Sequence, residues 1–427
     1  MMDPEDADIT DVLPEIRPNR RLTKQDRSAA RQSRITEGAI VAISRYGMGG
    51  VTHRRVASEA HVSLAATTYY YETKGDIIAD ASRTLLARYV DAFRRFASSL
   101  GPDAQLSFRD FALKLVFNSA GKHKVETLAW CEILVNAARD ESMRELAQVW
   151  FTTLDELWQN IASLLGVDDV QSAAVSAIDT VIGLLFIVTP LGLSEEEMRA
   201  LLLTGSLGSD HPSFHVSESH VDVDVGGKKS DGTRERILNA AAELIVGEGI
   251  EALTFRNISE RAGLTAAAPT YYFPSISALC NAAQARLFEM TRHRYRGDAG
   301  TGDHASLDKD HLIDLLATVF LREATEFRDL SLACYPVYVQ AHRDPTLRPG
   351  LWALNSENID RWTKLLTNIS PDATAFDRWM LYAAFVGKLI RVLTTAPSTR
   401  ELSKTRSEFA YEVCALVERR RWSDYRG

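Results

Sequence analysis

Apolar positions recur at helical spacing along most of the chain. Ile35, Ala39, Ala42, Ile43 and Tyr46 follow steps of three and four, and Ile237, Ala241, Leu244 and Ile245 repeat the pattern later. The periodicity continues through ASRTLLARYVDAFRRFASSL, KHKVETLAWCEILVNAARD, ESMRELAQVWFTTLDELWQNIASLL and SAAVSAIDTVIGLLFIVTPLGL, then SEEEMRALLL. It resumes in HLIDLLATVFLREATEF, LSLACYPVYVQAHRD, LWALNSENIDRWTKLLTNIS, DATAFDRWMLYAAFVGKLIRVL and ELSKTRSEFAYEVCALVERRRW. The pattern predicts an all-α fold.

Laid onto each other at an offset of 202, residues 35–77 and 237–279 share 12 of 43 positions without a gap. Among them are Gly47/Gly249, Thr52/Thr254, Arg54/Arg256 and Tyr69–Tyr70/Tyr271–Tyr272. Chance seldom gives such a run, and two long copies imply two tandem domains rather than a solenoid of short units. Each copy parses into three short helices. Gly47 and Gly249 end the first as left-handed caps. Thr52 and Thr254 are placed to cap the second, which carries Arg54 and Arg55 in one copy and Arg256 in the other. A turn follows at His61-Val62 and Gly263-Leu264, where glycine or histidine tolerates positive φ. Ser63 and Thr265 then cap a third helix ending in TTYYYETK or PTYYFPSI. Two helices joined by a tight turn behind a supporting helix form a helix-turn-helix.

THRRVASEAHVSLAATTYYYETKGDII and TFRNISERAGLTAAAPTYYFPSISAL resemble the DNA-binding module of TetR-type transcriptional regulators. The resemblance covers about 45 residues in each half sharply and the helical remainder loosely. It implies a helix-turn-helix in each half followed by a helical regulatory domain, and an operator in double-stranded DNA as partner. The third helix enters the major groove while the second crosses the backbone. Leu64, Ala65, Ala66 and Ala266, Ala267, Ala268 would let the helix approach base edges closely. Thr67, Thr68 and Thr270 offer hydroxyls and methyls. Tyr69, Tyr70, Tyr271 and Tyr272 pack with one face and donate to phosphate, while Tyr71 and Phe273 read as core. Lys74 sits at the start of the fourth helix, where the family meets a phosphate. Arg34 and Arg55 are placed for DNA contact, and Arg54 and Arg256 for a backbone or adjacent base contact. The second copy departs from the family at Ile276, which replaces the lysine, and at Pro269, which removes a donor. Neither reading helix carries Arg, Lys, Asn or Gln, so phosphates and DNA shape take a larger share of recognition.

Charge sharpens this picture. The net charge of −8 gives no bulk attraction to nucleic acid, so binding rests on local patches. One such patch is Arg17 to Arg34, with seven basic residues against Asp26, preceded by an acidic segment. Residues 1–30 read as a disordered acidic tail and basic arm. The module boundaries follow as 31–78 and 230–280, with regulatory domains at 79–205 and 281–427 and a polar, Gly/Ser-rich linker at 206–229. Arg296 to Asp303 reads as a flexible loop.

Within the regulatory domains the resemblance implies a cavity for a small-molecule effector of unknown identity. Trp130, Asn136, Trp150, Tyr335, Tyr338 and Tyr382 are its candidate lining, with ordinary packing as the alternative for each. The last long helices imply a four-helix seam, within one chain as a pseudo-dimer or between chains as a homodimer. Gly183 and Gly387, each within an apolar helix, are placed to allow close approach there, with easier core packing as the alternative. The resemblance also implies a bacterial, cytoplasmic, nucleoid-associated protein and most often a repressor.

Other classes are excluded or set aside on particular features. No run reaches about 18 uncharged apolar residues, the nearest being Thr180 to Leu193 with Pro190 inside it, so no membrane partner is expected. MMDPEDADIT is acidic where a secretory signal is basic and then apolar. Cys131, Cys280, Cys334 and Cys414 lie far apart without metal-ligand spacing and read as buried thiols. No nucleophile elbow, HExxH, Walker loop or Rossmann glycine series marks an enzyme, and no cofactor is implied. The alternative is a helical ligand-binding or adaptor protein whose second DNA-binding module is degenerate.

Overall fold

The computed structural model describes residues 23–101, 106–205, 207, 228–293, 308–367, 369–396 and 398–417. Every regular element among them is helical. The N-terminal half runs α1 (Lys24–Gly50), α2 (His53–Glu59), α3 (Leu64–Tyr70), α4 (Lys74–Ser99), α5 (Phe108–Ala120), α6 (Lys124–Ala137), α7 (Glu141–Leu164), α8 (Val170–Val188) and α9 (Glu195–Thr204). The C-terminal half runs α10 (Lys228–Glu248), α11 (Phe255–Ala262), α12 (Ala268–Tyr272), α13 (Ile276–His293), α14 (Lys309–Ala324), α15 (Arg328–Arg343), α16 (Arg348–Leu366), α17 (Ala375–Thr395), α18 (Thr399–Leu402) and α19 (Thr405–Val417).

Side-chain caps set many of the boundaries. Thr52 accepts from the Arg55 amide, Ser63 from Ala66 and Thr254 from Asn257, each satisfying a donor that the helix itself leaves free. Thr73 and Asp76 close a reciprocal capping box at α4. The turn between α2 and α3 passes through His61 at φ 52°, and that between α11 and α12 through Gly263 at φ 62°.

Two expectations need correction here. Residues 24–30 are not an unstructured arm but the first turns of α1. Thr23 and Asp26 form a capping box there, and Ser28 shares a 2.8 Å hydrogen bond with the Tyr70 hydroxyl. The third helix of the second module begins at Ala268 and is not capped by Thr265; its N-cap, Ala267, makes no side-chain bond. Pro269 accounts for this: lacking an N–H, it is tolerated only in the first turn, so the helix starts around it. The acidic tail, Arg17, Arg20 and Arg21, nearly all of the proposed linker and the Arg296–Asp303 loop lie outside the described residues. The last predicted helix is divided into α18 and α19, and α5 was missed.

The body is a bundle centred on α8 and α17, which pack on each other more extensively than any other helix pair. α7 lies against both, and α16 lies against α17. A methyl placed on Gly183 would fall 1.8 Å from the Ala383 carbonyl oxygen, and one on Gly387 would fall 1.8 Å from that of Asp179. Only glycine permits this approach. By length and composition Val170–Leu191 could cross a membrane, but 94% of that apolar stretch is buried inside the protein.

Charge is buried in the same seam. Asp179 of α8 is 0% exposed and Lys388 of α17 is 1% exposed, with Lys388 Nζ 3.0 Å from the Asp179 carboxylate. Arg391 grips Asp179 at two points, 2.8 and 2.9 Å, and Glu408 of α19 binds both Lys388 and Arg391. Burial would raise the Glu408 carboxyl, but Lys388 and Arg391 outweigh it and hold the group down to about 2. Two anions and two cations neutralise each other, which is what lets them stay dry.

Candidate nucleic-acid interface and adjoining cavity

The second and third helices of each module present an exposed face. On α3, Leu64, Ala65, Thr68 and Tyr69 are exposed, and Tyr69 reaches 81%. On the corresponding face of the second module Thr265, Ala266, Ala267, Thr270 and Tyr271 are exposed, and Tyr271 reaches 64%. Both modules thus leave a large aromatic ring out of the core at the same position. The adjacent tyrosines hold them: Tyr69 and Tyr70 meet edge to face at 5.1 Å, and Tyr271 and Tyr272 at 5.3 Å. Tyr71 and Phe273 are buried behind them, and the Tyr71 hydroxyl binds Asp80 of α4.

The basic residues divide into free and engaged groups. Arg34 on α1, Arg54 on α2 and Lys74 at the first position of α4 are exposed and make no ion pair among the described residues. Arg55 donates to the Gly50 carbonyl at 2.9 Å and lies over the Tyr46 ring. Arg256 pairs with Glu260 at 2.9 Å, with both side chains largely exposed. Such a pair contributes only about 0–1 kcal/mol, so a phosphate can displace it.

Several residues expected at the interface are buried or bonded within the module. Thr67 is fully buried; its hydroxyl donates to the Leu64 carbonyl at 2.8 Å, so it cannot reach DNA. Tyr70 and Tyr272 are half-buried, and the Tyr70 hydroxyl is held by Ser28. Thr52, Ser63 and Thr254 accept helix amides as caps, which leaves each exposed hydroxyl its own proton to donate. Thr68 and Thr270 also bond carbonyls of their own helices, leaving chiefly their methyl faces outward.

The modules are braced across the halves. Arg139, just after α6, donates to the Ile245 and Val246 carbonyls near the end of α10, both at 3.0 Å. Arg343, at the end of α15, donates to Ser44 of α1 at 3.4 Å and pairs with buried Glu132 at 2.5 Å. Burial pushes the Glu132 carboxyl up, and Arg343 offsets part of that rise. Gly49, before α2, donates its amide to Glu251, before α11.

A cavity of about 580 Å³ opens among α4 to α8. Trp130 and Trp150 line it, with Tyr89, Phe93, Phe111 and Trp158. Asn136 does not line it; its amide faces the Met143 sulfur at 3.0 Å. Tyr335, Tyr338 and Tyr382 do not line it either. They are buried in the C-terminal half, where Tyr382 donates to Asn355 and accepts from Asn358, both at 3.0 Å. α4 and α5 also contribute Tyr89, Phe93 and Phe111, which the sequence marks only as aromatic residues within an amphipathic pattern.

Parts of the chain match known proteins. Residues 237–283 match the family described as bacterial regulatory proteins, tetR family. Residues 307–419 match the tetracyclin repressor-like C-terminal domain. The chain is also similar to the HTH-type transcriptional regulator BetI of Agrobacterium fabrum (strain C58 / ATCC 33970). The two are 28% identical over 157 residues, which cover 36% of this chain and 74% of that protein. Together with the helix-turn-helix geometry, these matches make the C-terminal half similar to DNA-binding transcriptional regulators of the tetR family.

Proposed function

We propose that the chain is a ligand-responsive repressor whose two halves pair with each other and present two reading heads to one operator in the bacterial nucleoid. The observation that carries this reading is the reciprocity of contacts between the halves. Gly183 meets Ala383 while Gly387 meets Asp179, and each pair of equivalent positions is 204 residues apart. Arg139 and Arg343 share the same offset, and each caps the first helix of the other half's module. Gly49 and Glu251 are 202 apart and touch directly. Exchange of contacts between equivalent positions is the mark of a two-fold interface, here within one chain.

The buried charges favour unlike halves over like ones. Ala383 stands opposite Asp179 in the duplicated register, and Leu184 and Ile187 stand where Lys388 and Arg391 do. Two copies of α8 facing each other would bury two Asp179 carboxylates without a cation, which is costly.

In this reading Tyr69, Leu64, Ala65 and Thr68 face the major groove, with Arg34, Arg54 and Lys74 on phosphates. Tyr271, Ala266, Ala267 and Thr270 serve the second half-site with weaker anchoring, since α12 is shorter, uncapped and followed by Ile276. The operator is then an imperfect palindrome. Selection from a random-sequence duplex pool tests this. Two unequal half-sites about one helical turn apart are expected, and recovery of no preferred sequence would remove the claim of specific regulation. Enrichment of a single half-site instead would favour the second reading, in which the C-terminal module is structural.

A further inference from the structure

The cavity of the N-terminal half defines a class of ligand, and its regulatory consequence rests on the function proposed above. Its interior is a preformed aromatic wall. Tyr89 and Phe93 stack at 4.5 Å, Phe93 meets Trp158 at 5.6 Å, and Trp130 meets Trp150 at 5.6 Å. The volume of about 580 Å³ falls within the roughly 300–1,000 Å³ of small-molecule sites.

One polar group in that wall is left over. Trp150 donates its indole N–H to Ser82 at 3.0 Å, and Trp158 donates to the Tyr89 hydroxyl at 3.2 Å. Trp130 is 8% exposed, lines the cavity, and its indole N–H has no acceptor among the described residues. A buried donor without a partner bears the full desolvation cost of its group. Its nitrogen has almost no accessible surface, so an acceptor atom on a ligand removes that cost only where the indole turns toward the cavity.

The remainder of the lining is electrostatically one-sided. Arg95, Lys114 and Lys122 are exposed along the cavity and have no ion pair among the described residues, whereas Arg88 is paired with Glu37. Glu126 is the one carboxylate among the lining residues. Aromatic rings alone would also attract a cation, but three unpaired cations at the same opening repel it and draw an anion.

We infer that the cavity takes an amphipathic organic carboxylate: an apolar body against the aromatic wall, an inner oxygen accepting from Trp130, and the carboxylate toward Arg95, Lys114 and Lys122. Three probes sharing one naphthyl body and inner amide carbonyl test this. They are 2-naphthoyl-β-alanine, its alcohol analogue and its trimethylammonium analogue, titrated into the full chain by fluorescence. The carboxylate is expected to bind at least tenfold tighter than the alcohol, with the ammonium weakest. Lys114→Gln combined with Lys122→Gln, both on exposed positions, should cut the anion preference below threefold and leave the alcohol unchanged. Trp130→Phe, which keeps a ring but removes the N–H, should weaken all three probes together by threefold or more. Equal affinities, tightest binding of the ammonium, or no binding by the folded protein would each overturn the assignment. Tight carboxylate binding that leaves DNA affinity unchanged would uphold the ligand class and remove the regulatory reading instead.

Discussion

Replacing Asp179 by alanine strikes the seam where the two halves meet. The carboxylate is fully buried and answers both Lys388 and Arg391. Its loss leaves two cations facing Glu408 alone, with Lys388 itself buried in the seam. Breaking a buried ion pair from one side costs about 3–5 kcal/mol. Glu408 still neutralises one of the cations, so the lower end, about 3 kcal/mol, applies. With a urea slope of about 2 kcal/mol/M, that moves the unfolding midpoint of the seam down by about 1.5 M. The assay is urea unfolding followed by tryptophan fluorescence and far-UV circular dichroism. The companion variant Asp179→Ala/Lys388→Met removes one charge of each sign and keeps the Arg391–Glu408 pair. It should recover to within about 1 kcal/mol of the parent, since buried pairs replaced by apolar groups are often near neutral. A single variant within about 0.5 kcal/mol of the parent, or a double variant no better than the single, would refute the reasoning.

Removing the charge at Lys74 or Arg54 should weaken binding across all DNA sequences and flatten the log–log salt slope by about one each; electrophoretic titrations at several salt concentrations read this directly. Gly387→Ala should destabilise the seam by at least about 1–3 kcal/mol through overpacking, because its methyl meets the Asp179 carbonyl. A lowered melting temperature with a larger radius in small-angle scattering is the expected result. Glu408 is held down to about 2 from an ordinary value of 4.5, so its contribution is present above about 4.5 and lost as pH falls toward 2. Urea midpoints of Glu408→Gln should therefore vary less than the parent's over that range.

Local features of the fold were legible because they depend on neighbouring residues. Thr52, Ser63 and Thr254 cap helices where the pattern put them, and His61 adopts the positive φ that its turn demands. The α12 start was misread because the threonine preceding it matched the cap of α3, while the constraint came from Pro269. Thr67 was misread for a different reason. Its position within a seven-residue helix does not reveal which side faces α2. The Asp179–Lys388–Arg391–Glu408 cluster joins α8 to α17 and α19, more than two hundred residues further along the chain, and no short-range pattern marks it. Trp130 and Trp150 stood out by residue type alone. That they share a cavity with Arg95, Lys114 and Lys122 follows from the packing of α4 to α8, which only the assembled bundle displays.

The central claim is that one chain carries a complete pair of reading heads. Native mass spectrometry of the protein on its selected duplex, with sedimentation of the free protein, tests it most directly. One chain per duplex and a monomer in solution are expected. Two chains per duplex, or a free protein that is dimeric whenever it is competent to bind DNA, would contradict it.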